Sequence, residues 1–154
     1  MELNRKDYFF VGVQFLLFLI YFLDVEIIDF NIPSWLEVLA LIIIVFGVII
    51  FLVALLQLNR NLSPFPTPKS DSRLVKTGIY KYIRHPIYSG ILITFLAYGI
   101  FTTSLFRILI TFILYALFNL KSKYEEKQLR GRFPEYASYQ KKTGRFFPVF
   151  FRKK

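Results

Sequence analysis

The stretch YKYIRHPIYSG, residues 80–90, contains the only histidine of the chain. His85 follows Arg84 and precedes Pro86, at the point where charged sequence gives way to apolar sequence. Pro86 suits the first turn of a helix because it has no amide hydrogen, and the residue before a proline is driven out of helical geometry. We therefore expect a helix that begins at Pro86. Its first amides, its dipole and Arg84 would together attract an anion.

Two further residues of this stretch could contribute to such a site. Tyr88 is three residues after His85 and shares its face of the predicted helix. Gly90 has no side chain, so a ligand or another helix could come close to the backbone there. A simpler explanation is that these residues form only an interfacial belt, as at many ends of transmembrane helices.

The second candidate for chemistry is the carboxylate pair Glu125 and Glu126, within a strongly basic polar stretch at residues 121–148. Paired carboxylates in that setting could hold a cationic or polyhydroxyl ligand. Glu126 and Arg130 also have the spacing of an ordinary ion pair on a helix surface, worth about 0.2–0.5 kcal/mol. The rest of this stretch is basic and aromatic, which by default indicates an amphipathic segment lying on a membrane.

The composition indicates which elements position these residues. The chain has 154 residues, of which 55% are hydrophobic and 19% aromatic, far above an ordinary soluble protein. Its formal charge of +10 is spread between long apolar runs, which favours a membrane surface and not nucleic acid as the anionic partner. The absence of cysteine excludes a disulfide, a thiolate nucleophile and a zinc–cysteine site, and we predict no metal site.

The apolar runs predict an all-α, polytopic membrane protein with about four transmembrane helices. A helix needs about 20 apolar residues to cross the hydrocarbon. On that basis we place the spans at approximately residues 8–24, 35–58, 86–102 and 105–124. The last two spans form a helical hairpin that turns near residues 102–104, and a cytoplasmic interfacial helix and tail follow them.

The basic residues predict the orientation of these spans. Every lysine and arginine except Arg107 falls on one side of the arrangement, which the positive-inside rule makes cytoplasmic. The loop between the first two spans carries Asp24, Glu26 and Asp29 but no basic residue, so it should be external. Residues 61–73 are rich in proline and should form a loop. Both termini and the candidate site are therefore expected at the cytoplasmic face.

The segment LVKTGIYKYIRHPIYSG, followed one helical hairpin later by YEEKQL and by RFFP, resembles a known superfamily of membrane methyltransferases. This is the superfamily of isoprenylcysteine carboxyl methyltransferases and phospholipid N-methyltransferases. The similarity runs over residues 61–148 and includes the approach LSPFPTPK that short prokaryotic members often carry. It implies a single membrane-embedded methyltransferase domain over residues 1–154, with cofactor-binding parts at residues 61–90 and 121–148.

The resemblance implies S-adenosylmethionine as the cofactor. The residues that match the family's cofactor-binding positions are Arg84, His85, Tyr88, Gly90, Glu125 and Glu126. Their chemistry suits this ligand, which offers a carboxylate to the basic helix end and an amine and ribose hydroxyls to the glutamates. Its sulfonium would be favoured by aromatic faces.

The implied reaction is methyl transfer to a lipophilic acceptor, either an isoprenylcysteine-type carboxylate or a lipid, at the cytoplasmic membrane face. Such a transfer depends on alignment of donor and acceptor more than on a base. Arg145 matches a basic residue near the family's C-terminal end and would clamp an acidic acceptor. An amine or hydroxyl acceptor must lose a proton, which His85 or a glutamate would accept.

Two alternatives stay open from the sequence. One is an NADPH-dependent membrane reductase related to sterol reductases, which carry a similar Arg-His-Pro-x-Tyr stretch. The other is a non-enzymatic small membrane protein with an anion site at a helix end. The glutamate pair favours the methyl donor over NADPH. The predicted spans carry no ionisable side chain at mid-membrane depth, where a transport pathway usually has one, and this argues against the non-enzymatic alternative.

Overall fold

The computed structural model describes residues 3–23, 25–28, 30–68 and 71–149, and over these residues the predicted all-α class is confirmed. The α-helices of this part of the chain are α1 (Arg5–Tyr21), α2 (Ser34–Leu58), α3 (Pro86–Phe101), α4 (Leu105–Arg132) and α5 (Tyr136–Lys142). Short 3₁₀ helices lie at Asn59–Asn61 and Gly78–Lys81. The helix α3 begins at Pro86, as its sequence predicts.

Two of these helices are long and apolar enough to cross a membrane: α2, with 25 residues, and α4, with 28. The helix α3 is apolar but has 16 residues, and α1 has 17. Because a crossing needs about 20 residues, the structure supports two spans by length and composition, and the four-span arrangement stays a prediction. The helix α4 continues to Arg132, past the predicted end of its span at residue 124. Asp24 and Asp29 lie outside the described residues.

The helices α3 and α4 form the predicted hairpin, with Thr102, Thr103 and Ser104 between them. Thr103 takes a left-handed backbone conformation with φ of 47°. The Ser104 hydroxyl accepts a hydrogen bond from the Arg107 amide at 3.3 Å and so caps the start of α4. Turn residues and a cap therefore reverse the chain within three residues.

Glycines allow α2 and α3 to pack at very short range. A Cβ added to Gly90 would lie 2.7 Å from the Phe51 amide nitrogen and 2.8 Å from the Gly47 carbonyl oxygen. A Cβ on Gly47 would lie 2.9 Å from the Thr94 amide nitrogen. Small residues at such a crossing let two helix backbones approach closely. The space left by Gly90 is therefore filled by α2.

The other face of α3 packs with α1 and α4 around an aromatic core. Tyr21 of α1 stacks on Phe95 of α3, with ring centroids 4.1 Å apart, and donates a hydrogen bond to the Phe95 carbonyl at 2.7 Å. Leu114 and Phe118 of α4 are fully buried in the same core. Large apolar side chains such as Phe46 of α2 are exposed, as expected of a helix surrounded by lipid.

The proline-rich loop is attached to the helices by two buried charged side chains. Asp7 of α1 accepts hydrogen bonds from the amide and the hydroxyl of Thr67, at 3.1 and 2.8 Å. The Lys121 ammonium of α4 donates to the Gln14 side chain at 2.6 Å and to the Pro64 carbonyl at 2.8 Å. This loop therefore has fixed contacts with α1 and α4.

Candidate active site

The segment before α3 is paired with the tail of the chain. Gly144 lies opposite Ile83 in an isolated parallel bridge. The Arg84 amide donates to the Gly144 carbonyl at 2.9 Å, and the His85 amide donates to the Arg145 carbonyl at 3.0 Å. This pairing fixes the backbone from which the Arg84 and His85 side chains project.

Glu126 lies at the centre of a buried group of donors. Its Oε1 atom accepts from Arg84 Nε at 2.8 Å and lies 3.3 Å from His85 Nε2. Its Oε2 atom accepts from the side-chain nitrogen Nε2 of Gln140 at 2.8 Å and from an Arg145 terminal nitrogen at 3.0 Å. The side chain is 2% exposed. Both oxygens of Glu126 are therefore used by groups of the protein itself.

Glu126 belongs to the polar end of α4, which follows the apolar segment that ends at Leu120. Burial alone would raise the pKa of this carboxyl. Hydrogen bonds from His85, Arg145 and Arg84 outweigh burial and hold the pKa well below its usual range. The interpretation of Glu126 as half of a surface pair with Arg130 is wrong, because the carboxylate is buried and occupied by other partners.

Glu125 has a different environment from its neighbour. Its Oε2 atom accepts from the Tyr88 hydroxyl at 3.1 Å and lies 3.7 Å from His85 Nδ1. The side chain is 27% exposed, and its second oxygen accepts no hydrogen bond within the described chain. The His85 and Tyr88 rings are parallel, with centroids 5.4 Å apart. Glu125 therefore keeps acceptor capacity beside an aromatic pair.

A cavity of about 370 Å³ adjoins Glu125 and lies within the size range of small-molecule sites, about 300–1,000 Å³. The predicted site residues that line it are Arg84, His85, Tyr88 and Glu125. The predicted site residues that do not line it are Gly90, which faces α2, and Glu126 and Arg145, which bind each other. The cavity therefore contains part of the predicted constellation.

Tyr136 is a cavity residue that the sequence did not single out. Its side chain is 1% exposed, and its hydroxyl has no hydrogen-bond partner among the described residues. Burial, followed by the nearby Glu126 and Glu125 carboxylates, raises the pKa of this hydroxyl far above its usual value, so it is a neutral donor. An unpaired buried hydroxyl is costly. A ligand that accepts its proton in a hydrogen bond would remove that cost.

The tail packs inward, in contrast to the default expectation of a segment lying on the membrane. Tyr139 and Phe146 are buried. The Tyr139 hydroxyl donates to the Tyr80 carbonyl at 2.5 Å, and burial raises its pKa to about 12. The Ser89 hydroxyl donates to the Phe146 carbonyl at 2.7 Å. Aromatic residues of the tail therefore complete the site.

Most of the chain matches a known protein family. A family model described as phospholipid methyltransferase matches residues 35–135, more than half of the chain. The chain belongs to the phospholipid methyltransferase family. This confirms the resemblance drawn from the two motifs, and membership implies a membrane methyltransferase. The part that matches this family contains His85, Tyr88 and Glu125 and ends one residue before Tyr136.

A similar protein is the cobalt-zinc-cadmium resistance protein CzcN of Cupriavidus metallidurans. It is 33% identical to the chain over 81 residues. The similarity covers 52% of the chain and 38% of CzcN, so the chain matches well under half of that protein's length. In the described part of this family member, no group of three or more histidine, aspartate or glutamate residues could hold a metal ion.

Proposed function

We propose that this chain transfers a methyl group from S-adenosylmethionine to a lipophilic acceptor at the cytoplasmic face of the membrane. The observation that carries this proposal is the cavity shared by His85, Tyr88, Glu125 and the unpaired hydroxyl of Tyr136. Family membership supports the reaction class. The cofactor and the acceptor class are those that the family resemblance implies, and the chemistry of the cavity supports them.

The residues around the cavity fit S-adenosylmethionine. Glu125 has an open carboxylate oxygen for an amine or for ribose hydroxyls. The Tyr136 hydroxyl would donate to a carboxylate or to a ring nitrogen of adenine. The ring of Tyr88 offers an aromatic face, which attracts a cation such as a sulfonium.

When bound, S-adenosylmethionine supplies a methyl group on a sulfonium, and the acceptor's lone pair takes this methyl while the sulfur–carbon electron pair stays on sulfur as a neutral thioether. The protein would supply position and exclude water. For an acceptor that carries a proton, His85 and Glu125 are the candidate bases, since both line the cavity.

The apolar lining supports a lipophilic acceptor. Phe18 of α1, Phe51 of α2 and Ile91 of α3 line the same cavity as Glu125. Three helices therefore contribute hydrocarbon surface next to polar groups. An acceptor with a hydrocarbon part and a polar reacting end matches this combination.

The test of the proposed cofactor is calorimetric titration of the purified protein in detergent with S-adenosylmethionine and, separately, with NADPH. We expect binding of S-adenosylmethionine alone. Glu125→Gln should weaken it about tenfold, as for a hydrogen bond to a charged group. Glu135→Gln is the matched control, because Glu135 is exposed and pairs only weakly with Lys76 at 3.8 Å. Binding of NADPH alone would replace the proposal with the reductase alternative.

The cytoplasmic orientation rests on the distribution of basic residues and has its own test. The chain has no cysteine, so single cysteines can be introduced without background. An impermeant thiol reagent added to intact cells should label Ile28→Cys, between α1 and α2, and should not label Ser138→Cys on α5. Labelling of Ser138→Cys from outside would reverse the orientation.

A further inference from the structure

A second groove, separate from the cavity that holds Glu125, opens between the polar end of α4 and the tail. Its volume is about 640 Å³. Four of its nine lining residues are positively charged and none is negatively charged. The charged residues are Arg84, Arg130, Lys141 and Arg145. They come from the segment before α3, from α4, from α5 and from the tail, so the fold brings Arg84 together with three cations from residues 130–145.

The groove has more positive charge than the neighbouring carboxylate can balance. Glu126 is shared by Arg84 and Arg145, with His85 also nearby. Arg130 and Lys141 form no ion pair with any residue that the structure describes. Among the described residues, Glu126 is therefore the one carboxylate paired with any of these four cations. A concave surface with this imbalance favours an anion.

The two inner cations are held in place before any ligand binds. The Arg84 side chain is 8% exposed, and its guanidinium is fixed by Glu126 and by the carbonyls of Gln140 and Thr143. Arg145 is 26% exposed and is held by Glu126 on one side. Arg130 and Lys141 are exposed at the edge of the groove. Planar guanidinium groups in fixed positions suit the several oxygens of a phosphate.

We propose that this groove binds a phosphate-bearing anion. The same chemistry is offered by the headgroup of an anionic lipid and by phosphate free in solution. This binding is separate from methyl transfer. Arg84 is the one residue that lines both the groove and the cavity, whereas Tyr88 and Glu125 line only the cavity. An anion in the groove would join α4, α5 and the segment before α3, and so should raise thermal stability.

The experiment measures thermal unfolding of the purified chain in a neutral detergent, at constant ionic strength and without S-adenosylmethionine. The probes are inorganic phosphate, dihexanoyl phosphatidic acid and, as the zwitterionic control, dihexanoyl phosphatidylcholine. The test variant is Arg130→Gln with Lys141→Gln. The matched control is Lys123→Gln with Lys127→Gln, which removes the same charge from exposed positions of α4 that do not line the groove.

We expect a phosphate probe to raise the unfolding temperature of the wild type and of the control. The test variant should need about tenfold more probe for half of the effect. An effect of inorganic phosphate equal to that of phosphatidic acid identifies free phosphate as sufficient, and an effect of phosphatidic acid alone identifies a lipid headgroup. The proposal is overturned if no phosphate probe has an effect, if both double variants respond alike, or if phosphatidylcholine acts as strongly.

Discussion

Arg84 and Glu126 form a buried ion pair, with Arg84 Nε 2.8 Å from Glu126 Oε1 and exposed fractions of 8% and 2%. The pair connects the residue ahead of His85 with the polar end of α4. Glu125, the next residue back along the chain, faces the cavity and is 27% exposed. Two adjacent glutamates therefore have different environments, and we expect them to differ when they are substituted.

Glu126→Gln should lower the free energy of unfolding by about 3 kcal/mol, the lower end of the cost of breaking a buried ion pair. The reason is that Arg84 would keep a buried charge, and Arg145 a partly buried one, without the carboxylate that both now bind. Glu125→Gln should cost less than about 1 kcal/mol, because that group is partly exposed. Denaturant unfolding in detergent measures both. Equal losses in the two variants would contradict the division of roles.

Tyr136→Phe should weaken S-adenosylmethionine binding by about two- to tenfold, the range of a neutral hydrogen bond, without loss of stability. The hydroxyl has no partner in the described structure, so its removal breaks no bond of the folded protein. Tyr139→Phe is the comparison, because that hydroxyl donates to the Tyr80 carbonyl and its loss should lower stability. Unchanged affinity of Tyr136→Phe, measured by calorimetry, would remove Tyr136 from the cofactor site.

Gly90→Ala should destabilise the protein by about 1–3 kcal/mol, the usual cost of overpacking. The new methyl group would lie 2.7 Å from the Phe51 amide nitrogen, and backbone atoms cannot move aside without separating α2 from α3. Gly12→Ala is the matched control, because its Cβ would meet no atom within 4 Å. Thermal unfolding compares the two variants. If Gly90→Ala is as stable as Gly12→Ala, the close helix contact does not exist.

Lys121→Met should loosen the proline-rich loop. The substitution leaves the Gln14 side chain and the Pro64 carbonyl without their donor, while the bonds from Thr67 to Asp7 stay. Hydrogen exchange of the peptide covering residues 62–68 should become faster. Lys123→Met is the control, since Lys123 is exposed on the same helix. Identical exchange in both variants would show that Lys121 does not hold the loop.

Features set by local chemistry could be predicted from the sequence. Pro86 marks the start of α3 because it lacks an amide hydrogen, and the hairpin turn at Thr102–Ser104 follows from polar residues between apolar runs. The all-α class follows from the same apolar runs. These signals act within a few residues of the element that they define.

Features that depend on contacts between segments distant in sequence could not be predicted in this way. Glu125 and Glu126 are adjacent and chemically identical, and only the docking of Arg145 and Gln140 makes one buried and leaves the other at the cavity. In the sequence Tyr136 is one of several aromatic residues in a basic segment, and only its burial in the folded chain distinguishes it. Gly90 allows either a ligand or a helix to approach, and only the packing of α2 distinguishes them.

The parallel bridge between Ile83 and Gly144 also has a consequence for the order of events during synthesis. A chain made from its N-terminus completes α1 to α4 before Gly144 leaves the ribosome, so the apolar helices are available to the insertion machinery while the site still lacks its tail. We therefore expect membrane insertion and completion of the site to be separate steps. We expect nascent chains that have not yet exposed Gly144 to be integrated in the membrane but unable to bind the proposed cofactor.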